Sequence, residues 1–278
     1  MYPKFNFYCY YDQFNHLCAP KYFDWVKDGS GVINFFVDDY IKQRSKIISD
    51  KLAVAMLIEP RTIQPTIYEY IEQHSNDYDI IFSHDMKILE FENAYPIYFM
   101  NWYKTYDELK TKGISMVCSD KAMCKEHRER QWIADTLAYN YTGKVDHYGK
   151  YLGGRYCDYY ECRAKYLFEI VVDNNWSGYW LSEKLANPLA SKTIPIYLGG
   201  KHFPEDLDKN GIIQVNSVEE IPPIVDKILQ FPAKEYDARY EAVEHNYHAI
   251  QRYHVFEDWF FETYKDLLKK EVRKHELF

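Results

Sequence analysis

No stretch of the sequence approaches the ~18 consecutive apolar residues that a membrane-spanning helix needs. The opening residues, Met1 to Phe7, pass directly into a strand-like run without the basic leader and apolar core of a signal peptide. The expectation is a cytoplasmic protein without a membrane span. Metal-finger cysteine patterns are missing too. Cys9, Cys18, Cys118, Cys124, Cys157 and Cys162 form no CxxC pair and have no histidine at finger spacing, so they read as reduced thiols. Nor is there an excess of positive charge: 34 Lys and Arg face 42 Asp and Glu, for a net charge of −8. That field does not favour a polyanionic partner such as nucleic acid. Two local basic groups, Lys121/Lys125/Arg128/Arg130 and Lys269/Lys270/Arg273/Lys274, are expected to be solvated helix faces.

What is present is the balance of a globular chain, 47% apolar and 27% charged, long enough for two ordinary domains or one large one. Aromatic content is high at 18%, with 28 tyrosines. Tyrosine pairs an apolar face with a polar tip, which suits stacking clefts and equally a bulky core.

Apolar runs at Phe5–Tyr10, Val32–Val37, Leu52–Ile58 and Tyr78–Phe82 have the length and β-branched or aromatic content of buried strands. Helix-like stretches at Tyr40–Lys51 and Thr66–His74 separate them, which implies a parallel sheet covered on both faces. Ala94–Lys112 breaks the rhythm, with a helix predicted from Tyr106 to a stop at Gly113. The alternation restarts: strand Ile114–Cys118, helix Lys125–Tyr139, a short strand from Val145, a loop with Gly149, Gly153 and Gly154, then strand Tyr166–Val172. Helix Ser182–Ala190 and strands Ile194–Leu198 and Ile212–Val215 complete it. After Pro232 the sequence is helical. The domains expected are 1–110 and 111–235, both Rossmann-like, and a helical tail, 236–278.

The chemistry concentrates between Asp173 and Gly199. A buried strand ends at Asp173-Asn174, passes through a loop containing Gly178 and Trp180, and enters a helix at Ser182-Glu183-Lys184. Ligands of open α/β sheets bind at such strand ends, beside helix N-termini that suit a diphosphate. Lys184 supplies a cation for phosphates and Glu183 an acceptor for ribose hydroxyls, while Ser182 is a good N-cap. Ser-Glu-Lys also starts helices for structural reasons alone, the Glu for the dipole and the Lys merely solvated. The next strand, Ile194–Leu198, ends in Gly199-Gly200, where a backbone can approach a ligand closely.

These residues resemble the α-1,3-fucosyltransferases of glycosyltransferase family ten and their bacterial and viral relatives. That signature is an acid-Asn pair, a short loop, aromatic-x-Thr/Ser-Glu-Lys, and a Pro-containing strand ending in Gly. Asp173-Asn174, Trp180-Leu181-Ser182-Glu183-Lys184 and Ile194-Pro195 to Gly199 fall at its spacing. Ser119 after a strand, Arg130 leading a helix, and Val145-Asp146-His147-Tyr148-Gly149 are similar to further family elements. The resemblance implies an α/β fold of GT-B type: two Rossmann-like domains facing a cleft, with a C-terminal helix packing back across them. It implies an inverting, metal-independent enzyme without a cofactor that moves a fucose-like sugar from a nucleoside diphosphate, GDP above all, to a hydroxyl of a glycan or glycolipid. Arg130 and Lys184 would neutralise the diphosphate, Glu183 would hold the ribose, and Asn174 and Trp180 would line the donor pocket. Ser182 joins this donor-binding set, with Ser119, Tyr148, Gly149 and Asp173 as further donor-side candidates. Asp173 stands where Glu is more usual and Trp180 where Tyr is. Pro188 predicts a kink or early end of its helix.

Glu59, ending the Leu52–Ile58 strand, is the candidate base, at the place where the family carries Gly-Glu-Asn; Pro65 resembles a proline of that segment. A carboxylate there also has the option of pairing with Arg61. Asp38-Asp39 reads as solvated turn chemistry, His84-Asp85 as a surface turn, and His127 as structural. Two alternatives stand beside this reading: a phage-type glycosyltransferase that modifies hydroxymethylated DNA bases with another donor sugar, and a non-catalytic module that keeps a nucleotide or glycan pocket.

Overall fold

The computed structural model describes residues 3–10, 19–47, 49–102, 104–153, 156 and 158–275, without the side chains of Lys274 and His275. Cys18, Cys157 and Gly154 lie outside the described residues. Cys118 and Cys124 are free thiols. No described helix is long and apolar enough to cross a membrane.

The chain divides into two units. The first comprises Met1–Phe99, Gly178–Trp180 and Val255–Phe278. Its strands are β1 (Lys4–Tyr8), β2 (Asp24–Val26), β3 (Ile33–Val37), β4 (Leu52–Met56), β5 (Ile80–Ser83) and β6 (Ala94–Pro96). They form one sheet in the order β2-β1-β3-β4-β5-β6, every pair parallel. All residues of β3 and β4 are buried, as a parallel sheet covered on both faces requires. One face carries Phe36, Ala55 and Ile81, packed with Ile67, Tyr68 and Ile71 of helix α1 (Pro65–His74). The other face presents Phe35 and Phe82 to Phe260 of the long C-terminal helix, with ring centroids 5.9 and 4.9 Å apart. Burial of a phenylalanine side chain such as Phe260 is worth about 2–3 kcal/mol.

The second unit comprises Met100–Ser177 and Leu181–His254. In chain order it holds β7 (Lys112–Val117), α2 (Lys125–Asn140), β8 (Val145–Tyr148), β9 (Tyr166–Val172), α3 (Glu183–Leu189), β10 (Ile194–Leu198), β11 (Ile213–Gln214), α4 (Ile221–Gln230), α5 (Pro232–Asp237) and α6 (Tyr240–Ala249). The parallel sheet has the order β11-β10-β9-β7-β8. Ile114, Met116, Phe168, Ile170 and Val172 point to an apolar core with Ile133 and Leu137 of α2 and Val225 and Ile228 of α4. Because strand side chains alternate, the opposite face carries Ser115, Glu169 and Asp173, all buried and polar.

Three features depart from expectation. The edge strands β2 and β6 have only three residues each, too few for a periodic signal. The segment from Tyr106 is not helical, and Gly113 lies inside β7. Its hydrogen bonds go elsewhere: Tyr106 N–H donates to Ala190 O, and Thr111 N–H and Lys112 N–H both donate to Lys165 O. Lys110 Nζ donates to Ala164 O, Ser191 O and Thr193 Oγ1, so the segment is tied to the sheet's support rather than coiled on itself. Finally, the helical stretch after Pro232 does not form one piece. α5 and α6 belong to the second unit, whereas helix α7 (Phe256–His275) belongs to the first.

Candidate functional site

In the second unit a cavity of about 440 Å³ opens where β7, β8 and β9 end. Ser119, Lys121, His127 and Arg130 line it, together with Asn174, Glu183 and Lys184. Helix α2 delivers Arg130 from its second turn, and the residue is only 4% exposed. Its Nη1 donates to Val172 O and to Asn174 Oδ1, each at 3.2 Å, and its Nη2 donates to Ser119 Oγ at 3.2 Å. The buried Arg130 Nε–H finds no hydrogen-bond partner among the described residues, and the residue sets a positive charge in the cavity wall. His127 Nδ1 accepts from Met123 N–H, so its proton sits on Nε2, which donates to Asn174 Oδ1 at 3.0 Å. Burial and the neighbouring Arg130 lower the His127 pKa, keeping the ring neutral in this role. Two donors thus fix the Asn174 amide.

Asp173 is fully buried and works as the hub behind the site. Its carboxylate accepts from Asn174 N–H at 2.7 Å, Ser182 Oγ–H at 2.6 Å and Tyr197 Oη–H at 3.4 Å, with Lys184 Nζ 3.6 Å away. Ser182 also accepts from Lys184 N–H as the N-cap of α3. Lys184 Nζ lies 2.9 Å from Glu183 Oε1. Burial alone would raise the Glu183 pKa, but Lys184 outweighs it and the carboxyl is held below its usual range. Conversely, Glu183 and Asp173 outweigh the burial of Lys184 and raise its pKa. Both groups are therefore charged at neutral pH. Helix α3 ends at Leu189, one residue beyond Pro188, the early end that the proline predicts.

Gly149 lines the same cavity with φ +89°, and a Cβ there would stand 2.3 Å from Cys118 O. Tyr148 does not line it; its hydroxyl pairs with that of Tyr166. Asp173 and Ser182 likewise support the lining without joining it. Gly199 does not line this cavity. A Cβ there would fall 2.1 Å from the Tyr197 ring, so the glycine makes room for the phenol that reaches Asp173. The Lys121–Arg130 basic group is not one exposed patch: Lys125 pairs with Glu129, and Arg130 points inward.

Sequence reasoning missed the inner part of the cavity, which is lined by Tyr159, Arg163, Glu169 and Asn187. Arg163 Nη2 donates to Glu169 Oε1 at 2.9 Å, and Arg163 Nε lies 2.7 Å from Oε2. Burial raises the Glu169 pKa to about 7 against the pull of Arg163. A glutamate amid the apolar residues of Tyr166–Val172 was the available signal.

Glu59 belongs to the first unit, just beyond β4. Its backbone is clamped twice: Asp38 Oδ1 accepts from Ile58 N–H at 2.8 Å and Glu59 N–H at 3.2 Å, and Tyr68 Oη–H donates to Glu59 O at 2.7 Å. Asp38 is buried with φ +47°, so the expected solvated turn is instead an internal brace. Arg61 forms a two-point pair with Asp85 and a third bond to Glu72. His84 is also buried, not a surface turn; its Nε2–H donates to Tyr68 Oη at 3.0 Å. Trp180 packs edge-on against His84 with ring centroids 4.6 Å apart, in the first unit, and does not line the cavity. Among the described residues no three His, Cys, Asp or Glu side chains gather as a metal site.

No curated protein matches the sequence. Among solved structures, an α1,3-fucosyltransferase aligns with TM-score 0.54 at 15% identity, covering 79% of this chain and 73% of its own. The same kind of enzyme solved with GDP gives 0.54 and 15%, covering 79% and 72%. TarM gives 0.55 at 13%, covering 84% of this chain and 54% of its own. The two parallel α/β units are thus those of the GT-B glycosyltransferases. A family model described as glycosyltransferase family 10 (fucosyltransferase), C-terminal part, matches residues 108–266, more than half of the sequence. The chain belongs to glycosyltransferase family 10, the fucosyltransferases.

Proposed function

We propose that this glycosyltransferase moves a fucose-like sugar from a GDP-linked donor to a hydroxyl of a glycan or glycolipid, with inversion and without a metal or other cofactor. The observation that carries the reading is the pair of cations that line the cavity, Arg130 and, beside Glu183, Lys184. They suit a diphosphate leaving group, and Glu183 suits the ribose hydroxyls. GDP is favoured because a relative of the same fold was solved with it. Glu59 is the proposed base. Its carboxylate takes the proton of the acceptor hydroxyl as that oxygen attacks the anomeric carbon. The bond from that carbon to the phosphate oxygen breaks on the opposite face, and GDP leaves with its charge held by Arg130 and Lys184. Asp173, Ser182 and Tyr197 act on the donor indirectly, by holding Asn174 and Lys184 in place.

A thermal-shift panel of GDP, UDP, ADP and CMP tests the donor class. GDP is expected to raise the melting temperature most, and Arg130→Ala and Lys184→Ala are each expected to abolish the shift. Equal indifference to every nucleotide contradicts the proposal. Retention of the shift in both variants would remove these two residues from it.

A further inference from the structure

The cavity does not end at the phosphate-sized group of cations. Along β9, Glu169 precedes Asp173 by four residues on the same sheet face, about 13 Å of strand. Along α3, Asn187 lies one turn beyond Glu183, on the same helix face. Both Glu169 and Asn187 line the cavity, so its polar lining continues inward from the strand ends for the length of an extended nucleotide. A nucleoside diphosphate placed with its phosphates at Arg130 and Lys184, and its ribose at Glu183, has one polar part left: the edge of its base.

The inner lining has the pattern to meet that edge. The Glu169 carboxylate is 2% exposed. Its Oε2 sits 2.7 Å from Arg163 Nε as the second contact of the ion pair, outside hydrogen-bond geometry. A ligand that brings N–H donors to this buried carboxyl favours its charged form. On the other side of the pair, Arg163 Nη1 donates to the Cys162 sulfur at 3.3 Å, a weak acceptor that a carbonyl oxygen outcompetes. The pair need not open, because each carboxylate oxygen accepts more than one hydrogen bond.

Resting on the donor reading above, we propose that Arg163 and Glu169 form the base-recognition subsite and select guanine. Guanine offers O6 to the arginine, and its N1–H and N2–H donate to the carboxylate. Adenine places a donor where guanine has O6 and is mismatched against Arg163. Uracil matches in part, with one carbonyl and one N–H, but has no 2-amino group.

Calorimetric titration with GDP, inosine diphosphate, UDP, ADP and inorganic pyrophosphate tests this. Inosine diphosphate lacks only the 2-amino group. For the unaltered protein, GDP is expected to bind about tenfold or more tighter than inosine diphosphate, and about a hundredfold tighter than ADP, in line with the loss of charge-assisted hydrogen bonds. Glu169→Gln is expected to bring GDP and inosine diphosphate within about twofold of each other while pyrophosphate binding is unchanged. Should that variant fold poorly, the double replacement Arg163→Met with Glu169→Met fills the pair's volume with apolar atoms. Circular dichroism checks that it is folded, and it is expected to lose base discrimination but keep pyrophosphate binding. An unchanged preference for GDP in either folded variant overturns the inference and leaves the donor reading standing. Failure of the unaltered protein to bind GDP and pyrophosphate at all overturns the donor reading itself.

Discussion

At the scale of single residues, the carboxylate proposed as base sits on a backbone that is held rather than loose. Asp38 closes two backbone N–H groups, and Tyr68 closes the Glu59 carbonyl. Replacing Asp38 with Ala leaves those buried donors unsatisfied, which is expected to cost about 1–3 kcal/mol, read by urea denaturation. The same replacement is expected to lower turnover more than it weakens GDP binding. Gly149 is a second test at this scale. A Cβ there meets Cys118 O in a backbone conformation with φ +89°, so Gly149→Ala is expected to destabilise by about 1–3 kcal/mol and to weaken donor binding, by the same denaturation assay and calorimetry. Of these residues, sequence showed Glu59 and Gly149 but not the role of Asp38. A strand-end Asp followed by Asp has the same local pattern whether it is solvated or reaches a neighbouring strand's loop. The bonds that decide it join residues about twenty positions apart in sequence.

At the scale of elements, the buried strands and the strand-loop-helix around Asp173 were legible because their apolar runs and cap residues are local signals. Ser182 is the N-cap and Pro188 stands one residue before the helix end. What was not legible had a non-local cause. The segment from Tyr106 has helix-compatible residues, yet its amides and Lys110 are claimed by Lys165, Ala190 and other carbonyls far along the chain. Gly199 accommodates the Tyr197 ring, a contact that no local pattern shows. Arg163 and Glu169 escaped notice because a carboxylate in a strand is informative only once the sheet's two faces are known. Helix α7 yields a prediction of its own. Phe260→Ala removes the ring packed against Phe35 and Phe82 and is expected to cost about 3–5 kcal/mol. A loss under 1 kcal/mol in chemical denaturation would mean that the helix is not part of the first unit's core.

For the whole molecule, His84 sets a pH window. Burial lowers its pKa from 6.5 to about 4 in the folded chain. The folded state therefore keeps it neutral while the unfolded chain takes up a proton. Stability from this group is complete above about pH 6.5 and is lost as pH falls toward 4, by up to about 3 kcal/mol. Asp85 and Glu72 are held below their ordinary carboxylate values, so their contribution is lost at lower pH. Urea midpoints measured from pH 7.5 to pH 4.5 are expected to fall, and His84→Gln is expected to flatten the slope.

The central claim is that a GDP-linked sugar is transferred with inversion, with Glu59 as the base. Proton NMR of a GDP-fucose reaction with water as acceptor tests it without knowledge of the natural acceptor. The first-formed free sugar is expected to carry the anomeric configuration opposite to the donor's. Glu59→Gln is expected to slow its appearance by about a hundredfold or more while the calorimetric Kd for GDP is unchanged. A product that retains the donor's configuration, or an equal rate in the Glu59→Gln protein, contradicts the account.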